Sequence, residues 1–345
     1  MRHLLFIFAL LALPGLPADA RSVTDSAGRE VEIPDEVTTV FAAGPPAAVL
    51  VYVMKPETLV GWPRALRPEE REYIAKEYRG LPESGRLTGR GGEANLERVL
   101  QIQPDLIIDF GSVRDTYIDL ANRVQEQTGI PYLLIDGRFE NTAEALRITG
   151  EALGEPERGT ALAKDVEARF ARIDAVLADI PEADRPGVYL ARGADGLETG
   201  MQGSINTEII ERAGGRNVAD DGGTTRGLVQ TSVEQVIVAD PDAIVTWDAN
   251  FYGKVFDAPL WQGVTAVREG QVYLSPMAPF GWIDRPPSLN RMVGLNWMAG
   301  LLHPDRWEGD LREDTRDFYK LYYHIDLTDD ELERLLEWAE GRPPM

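Results

Sequence analysis

The stretch 157–180, ERGTALAKDVEARFARIDAVLADI, decides how the rest of the chain is read. Leu162, Val166, Phe170, Ile173, Leu177 and Ile180 recur at steps of four, four, three, four and three, the spacing of one apolar helix face. At helical rise the stretch spans about 36 Å, the width of a small domain. A matching unit lies on each side of it. Asn95-Leu96-Glu97-Arg98-Val99-Leu100 runs on to Pro104-Asp105-Leu106-Ile107-Ile108, and Ser232-Val233-Glu234-Gln235-Val236-Ile237 runs on to Pro241-Asp242-Ala243-Ile244-Val245. A single offset of 137 residues sets Glu on Glu and Pro-Asp on Pro-Asp, so the two read as one helix-strand unit used twice.

Upstream of the rod, residues 22–36 read as a polar lead-in with a turn at Asp25-Ser26-Ala27-Gly28, followed by strands at 38–42 and 59–62 and a charged surface helix over 67–79. Helices are predicted at 96–103, with Asn95 as N-cap, at 115–128 and at 141–154, and strands at 106–110 and 131–135. Downstream, strands at 187–191, 243–245 and 272–274 alternate with helices at 208–213 and 233 onward, the latter opened by a Ser232/Gln235 capping box. A helix over 288–302, a charged segment and a last helix with a Thr328/Glu331 capping box complete the chain. Such alternation predicts an α/β fold: two Rossmann-like lobes with central, mainly parallel sheets, joined by one long α-helix. The expected division is a leader at 1–20, a first lobe at 21–156, the connecting helix at 157–180 and a second lobe at 181–345. Ligands of such sheets sit at the carboxyl ends of the strands.

The first residues read as a secretory signal peptide: Met1-Arg2-His3 is basic, 4–13 is apolar, and Ala18-Asp19-Ala20 is a small-x-small site cleaved near Ala20. The chain has no cysteine, hence no disulfide, no thiolate metal site and no lipid-attachment residue. A free periplasmic protein, not a lipoprotein and not inserted in the membrane, is expected. With 57 acidic against 35 basic residues, the net charge of −22 argues against nucleic acid as a partner.

Beyond the leader only His303 and His324 could ligate a metal through imidazole, and their spacing forms no metal motif. No resident cofactor or catalytic residue is assigned; G-x-S-x-G, P-loop and H-E-x-x-H patterns are all missing. Gly89-Arg90-Gly91-Gly92-Glu93-Ala94 fits a dinucleotide fingerprint in letters but does not follow directly on a strand. An exported hydrolase using carboxylates is the competing class. What stands out is the content of the strand-end loops: Trp62, Arg64, Arg90 and Tyr117 in the first half, and Arg192, Trp247, Tyr252, Phe280, Trp282 and Arg285 in the second. Aromatic faces with guanidinium forks suit a flat, anionic, partly apolar ligand. Glu97 and Glu234 hold the second position of the two repeated helices. There an acid gains about 0.3–1 kcal/mol from the helix dipole, and an equivalent pair could also dock a two-fold symmetric partner.

Taken together, Thr24-Asp25-Ser26-Ala27-Gly28-Arg29, the two repeated units and Phe318-Tyr319-Lys320-Leu321-Tyr322-Tyr323 resemble the periplasmic solute-binding proteins of the iron-siderophore and vitamin B12 type, which serve ABC importers. The resemblance covers nearly all of the chain after the leader. It implies two α/β lobes on one backbone helix, a monomer, ligand in the cleft between lobes, and no enzymatic activity. It also implies that Glu97 and Glu234 form salt bridges with arginines of an inner-membrane permease dimer. The expected ligand is a small-molecule metal complex, a ferric siderophore first, with a corrinoid, haem or nickel complex as alternatives. The loop Gly281-Trp282-Ile283-Asp284-Arg285-Pro286-Pro287-Ser288 departs from the family, and Trp282 and Arg285 are expected to touch the ligand.

Overall fold

The computed structural model describes residues 20–89, 96–220, 222 and 227–339. The leader up to residue 19, Arg90 and Asn95 lie outside them. The first element is a correction to the sequence reading: strands β1 (Ala20–Thr24) and β2 (Glu30–Pro34) form an antiparallel hairpin where a polar lead-in was expected. Its apolar members Val23, Val31 and Ile33 are buried, one side of each short strand. The Asp25 carboxylate holds the turn by accepting from the N–H groups of Ala27 and Arg29 at 2.9 and 3.0 Å, and ties the hairpin to the lobe through the Leu134 N–H at 3.1 Å.

Strands β3 (Val40–Ala42), β4 (Leu106–Gly111) and β5 (Tyr132–Asp136) make the first parallel sheet, in that order. Apolar runs buried on both faces are what a helix-covered parallel sheet requires. The strand expected at 59–62 is reduced to two isolated bridges, Val40 to Leu59 and Trp62 to Glu83. The surface helix expected at 67–79 is broken into a helix at Pro68–Arg71 and a single 3-10 turn at Lys76–Tyr78.

The connecting helix runs Pro156–Leu177, three residues shorter at its end than the periodicity suggested, because the chain turns into Pro181. Leu162, Val166, Ile173 and Leu177 are buried. It packs on the helix Thr142–Leu153 through two glycines: a Cβ on Gly159 would lie 2.7 Å from the Leu146 carbonyl oxygen, and one on Gly150 would lie 2.9 Å from Gly159 Cα. Only the missing side chains let these backbones approach so closely.

In the second lobe β6 (Gly187–Ala191), β8 (Arg216–Asn217), β10 (Ala243–Thr246) and β11 (Val272–Leu274) form a parallel sheet in the order β11-β10-β6-β8, and β7 (Glu198–Gly200) pairs antiparallel with β9 (Leu228–Gln230). The expected capping box opens the helix Val233–Ala239, with Ser232 and Gln235 bonding reciprocally. The supposed charged segment contains a helix, Leu311–Tyr323, whose Phe318, Tyr319, Tyr322 and Tyr323 are buried. It returns to the first lobe: the Tyr52 hydroxyl donates to the Tyr323 carbonyl at 2.6 Å, and Arg334 of the last helix, Asp329–Ala339, pairs with Glu72 at 3.2 Å. Residues 311–339 thus do not pack with the second lobe alone, as the division at 181 had implied, and one apolar core spans both halves.

Candidate ligand-binding site

Three neighbouring parallel strands of the second lobe deliver the site. Ala191 is level with Thr246, and Thr246 with Leu274, so the next residues, Arg192, Trp247 and Ser275, leave the sheet side by side at its carboxyl edge. The guanidinium of Arg192 lies 5.6 Å from the centre of the Trp247 ring, and that of Arg285, from the loop after β11, lies 4.4 Å from it. Trp247 is 9% exposed, and its indole N–H has no partner among the described residues. Arg285 is exposed, and among the described residues no carboxylate pairs with it. Partial burial, followed by repulsion from Arg67, Arg64 and Arg192, holds its proton affinity below the usual arginine range, with Asp248 partly offsetting them. Four arginines from two lobes therefore share one field.

Compensation within that field is uneven. Arg64 makes a bidentate pair with Glu70 at 2.8 and 2.6 Å, and Arg67 reaches the same carboxylate at 2.8 Å. Arg192 pairs with Glu198 at 2.7 Å and with Asp284 at 2.9 Å. Arg285 is left over, a cation beside an unpartnered indole donor.

Glu70 is itself buried. Burial pushes its carboxyl upward, but hydrogen bonds from Arg64 and Arg67 outweigh this and hold it below the usual glutamate range. A carboxylate depressed on folding adds stability that is present above its unfolded value, about 4.3, and lost as pH falls through the folded one. Acid unfolding followed by circular dichroism should therefore show a loss of stability below about pH 4 that is smaller in Glu70→Gln, a variant already weaker at neutral pH.

The remaining sequence candidates divide. Trp62 and Trp282 are corrections: Trp62 is 2% exposed and donates to the Tyr78 carbonyl at 3.0 Å, and Trp282 is 0% exposed and donates to the Tyr319 hydroxyl at 3.2 Å. Buried indoles with satisfied N–H groups are core residues, so contact with a ligand is not theirs. Phe280 is likewise packed, against Trp62 and Tyr323 at ring separations of 5.9 and 5.7 Å. Tyr117 is half-buried, with Arg114 5.7 Å from its ring, and Tyr252 packs edge-on against Phe256 at 5.5 Å on the helix Ala249–Val255. Neither joins the Arg285-Trp247 group through a contact recorded among the described residues. Arg90 lies outside them.

Sequence reasoning missed Arg67, Glu70, Glu198, Asn206, Glu208, Asp284 and Arg291. Asp284 and Arg291 are both buried charges, which a local pattern does not reveal; the run Asp284-Arg285-Pro286 was the one available signal. Glu97 and Glu234 both lie exposed at the second position of their helices, Leu96–Ile102 and Val233–Ala239. The backbone at the helix start and Ser232 hold Glu234 below the usual glutamate range.

Two parallel-sheet lobes on one long helix, with a cation and an aromatic face at the strand ends, define a solute-binding protein of the helical-backbone class. The chain belongs to the periplasmic binding protein family, which its residues 55–278 match. A cobalamin-binding protein of Halobacterium salinarum is 32% identical over 198 residues, 53% of this chain and 50% of that protein, so the chain spans about half the length of that curated relative. The Fe(3+)-citrate-binding protein YfmC of Bacillus subtilis is 24% identical over 252 residues, 70% of this chain and 76% of that one. An ABC transporter solute binding protein from Sulfurospirillum deleyianum superposes with a TM-score of 0.83 at 29% identity, covering 92% of this chain and 99% of that one.

Proposed function

We propose that this protein is the periplasmic substrate-binding component of an ABC importer, and that it captures an anionic metal chelate, a ferric siderophore or carboxylate complex. The reading rests on one observation: the exposed Arg285, which no carboxylate pairs among the described residues, lies against the Trp247 ring. A guanidinium fork held in place over an aromatic ring recognises carboxylate or catecholate oxygen in a bidentate way. Among the described residues no three His, Cys, Asp or Glu side chains come together as a metal site, so the metal would enter already held by its own chelator. Glu70, Glu198 and Asp284 are engaged with arginines, and Asp248 caps its helix by accepting from the Asn250 and Phe251 N–H groups, which speaks for binding over hydrolysis.

A corrinoid is the second reading, favoured by the identity with the cobalamin-binding protein. Native mass spectrometry of the protein isolated from its host periplasm separates the two by ligand mass. A bare hydrated cation as sole ligand would overturn both.

Delivery is assigned to Glu97 and Glu234, one exposed carboxylate on each lobe. Charge reversal of both to arginine is expected to abolish ligand uptake by cells while the purified protein binds its ligand as before. Uptake at the wild-type rate would remove the docking role. No helix among the described residues is long and apolar enough to cross a membrane.

A further inference from the structure

Asp284 is 0% exposed and sits between the two arginines that lie against Trp247. Its Oδ2 is 2.9 Å from Arg192 Nε, an ion pair without hydrogen-bond alignment. Its Oδ1 accepts from the Arg285 backbone N–H at 2.7 Å and from Asn206 Nδ2 at 2.8 Å. Each contact constrains a part of the site. Arg192 comes from the end of β6 and is held on its other nitrogen by Glu198. Arg285 comes from the loop after β11 with φ of 75°, a left-handed backbone that a large side chain adopts only when its surroundings hold it there. The loop is drawn tight around this point: a Cβ on Gly281 would lie 2.1 Å from the Asp284 carbonyl oxygen, and one on Gly294 would lie 1.9 Å from that of Trp282.

We infer that Asp284 is the positioning residue of the ligand site, holding Arg192 by its charge and Arg285 by its backbone so that both guanidinium groups lie against Trp247. The inference rests on the ligand reading above and deepens it: the group bound there is an oxyanion, a carboxylate, phosphate or catecholate. Fully buried, Asp284 does not touch the ligand.

Charge and position make opposite demands. If Asp284 acted only through its charge, removing that charge beside an anion site would strengthen anion binding. If it acts by positioning, the same substitution weakens it. The test is the indole N–H resonance of Trp247 in the full chain, identified by its loss in Trp247→Phe and titrated with sodium citrate as a tricarboxylate probe. Wild type should shift with citrate, and Asp284→Asn should bind about tenfold more weakly, the size of one charge-assisted hydrogen bond. Equal or tighter citrate binding by a folded Asp284→Asn overturns the inference. Should that variant fail to fold, Asn206→Ala leaves every charge in place, removes the hydrogen bond donated to the Asp284 carboxylate, and should weaken citrate binding by up to about tenfold. Unchanged binding there also overturns it. A wild-type chain without a citrate-dependent shift overturns the inference while leaving chelate capture to the mass measurement. Citrate binding at Trp247 that weakens in Asp284→Asn, in a protein isolated with a bare hydrated cation as sole ligand, supports the inference and defeats the capture reading alone.

Discussion

Arg291→Ala is expected to cost about 3–5 kcal/mol of stability, the penalty for breaking a buried ion pair from one side. Arg291 opens the helix Arg291–Leu302 and is 1% exposed. Its guanidinium donates to the carbonyl of Gly137 at 2.8 Å, just past β5 in the first lobe, and to that of Ile205 at 2.8 Å in the second. Its Nε donates to the Ser288 carbonyl at 3.2 Å, Glu208 lies 3.6 Å away, and the Phe139 ring centre is 4.5 Å from its carbon. Burial lowers its proton affinity to about 10, with Glu208 and Asp284 resisting the shift, so it stays charged at neutral pH. Alanine would leave the Gly137 and Ile205 carbonyls without their donor and Glu208 without its nearest cation, while the Ser288 carbonyl keeps the backbone N–H of residue 291. Glu208 also accepts the Phe139 N–H at 2.8 Å, so the link between lobes would weaken on both sides. Lysine keeps the charge but not the planar fork, and should recover only part of the loss. Urea unfolding measures both variants; an Arg291→Ala midpoint near wild type would show that the lobes are held elsewhere.

Arg285→Ala should weaken binding of an anionic chelate by about 1.5–3 kcal/mol, ten- to hundredfold, while leaving the melting temperature almost unchanged. The two effects separate because the side chain is exposed and unpaired by carboxylate among the described residues, so little of the fold depends on it. Ferric citrate titrated against tryptophan fluorescence gives the affinity, since Trp247 lies beneath the substituted group. Arg285→Lys should bind more weakly than wild type for want of the fork and the stacking plane. Wild-type affinity for ferric citrate in Arg285→Ala would move the anion site away from Trp247.

Much of the scaffold is legible without coordinates. The strand Gly187–Ala191 and the helix Asp115–Thr128 lie where periodicity and turn residues set them, and the Ser232 and Thr328 capping boxes form as spelled. These features depend on neighbours a few residues apart. The helix Arg291–Leu302 gives the opposite lesson: it is buried almost all round, so it carries no amphipathic stripe to say which side meets which lobe.

The site was legible in kind but only partly in membership. Sequence order put arginines and aromatic residues at strand ends, and Arg192, Trp247 and Arg285 do meet there. It could not distinguish Trp247 from Trp62 or Trp282, since all three sit in loops with similar neighbours. Their fates depend on what folds over them: Phe280 against Trp62, and Tyr319 and the close backbone at Gly294 against Trp282. By itself, then, the sequence determined an α/β chain of two like halves on one helix, with arginines and aromatic residues at its strand ends, because propensity and period are local. Only the tertiary structure decided which arginine is left uncompensated. Arg64 takes Glu70 and Arg192 takes Glu198 and Asp284, and these pairings depend on distances between residues that the fold, not the chain order, brings together.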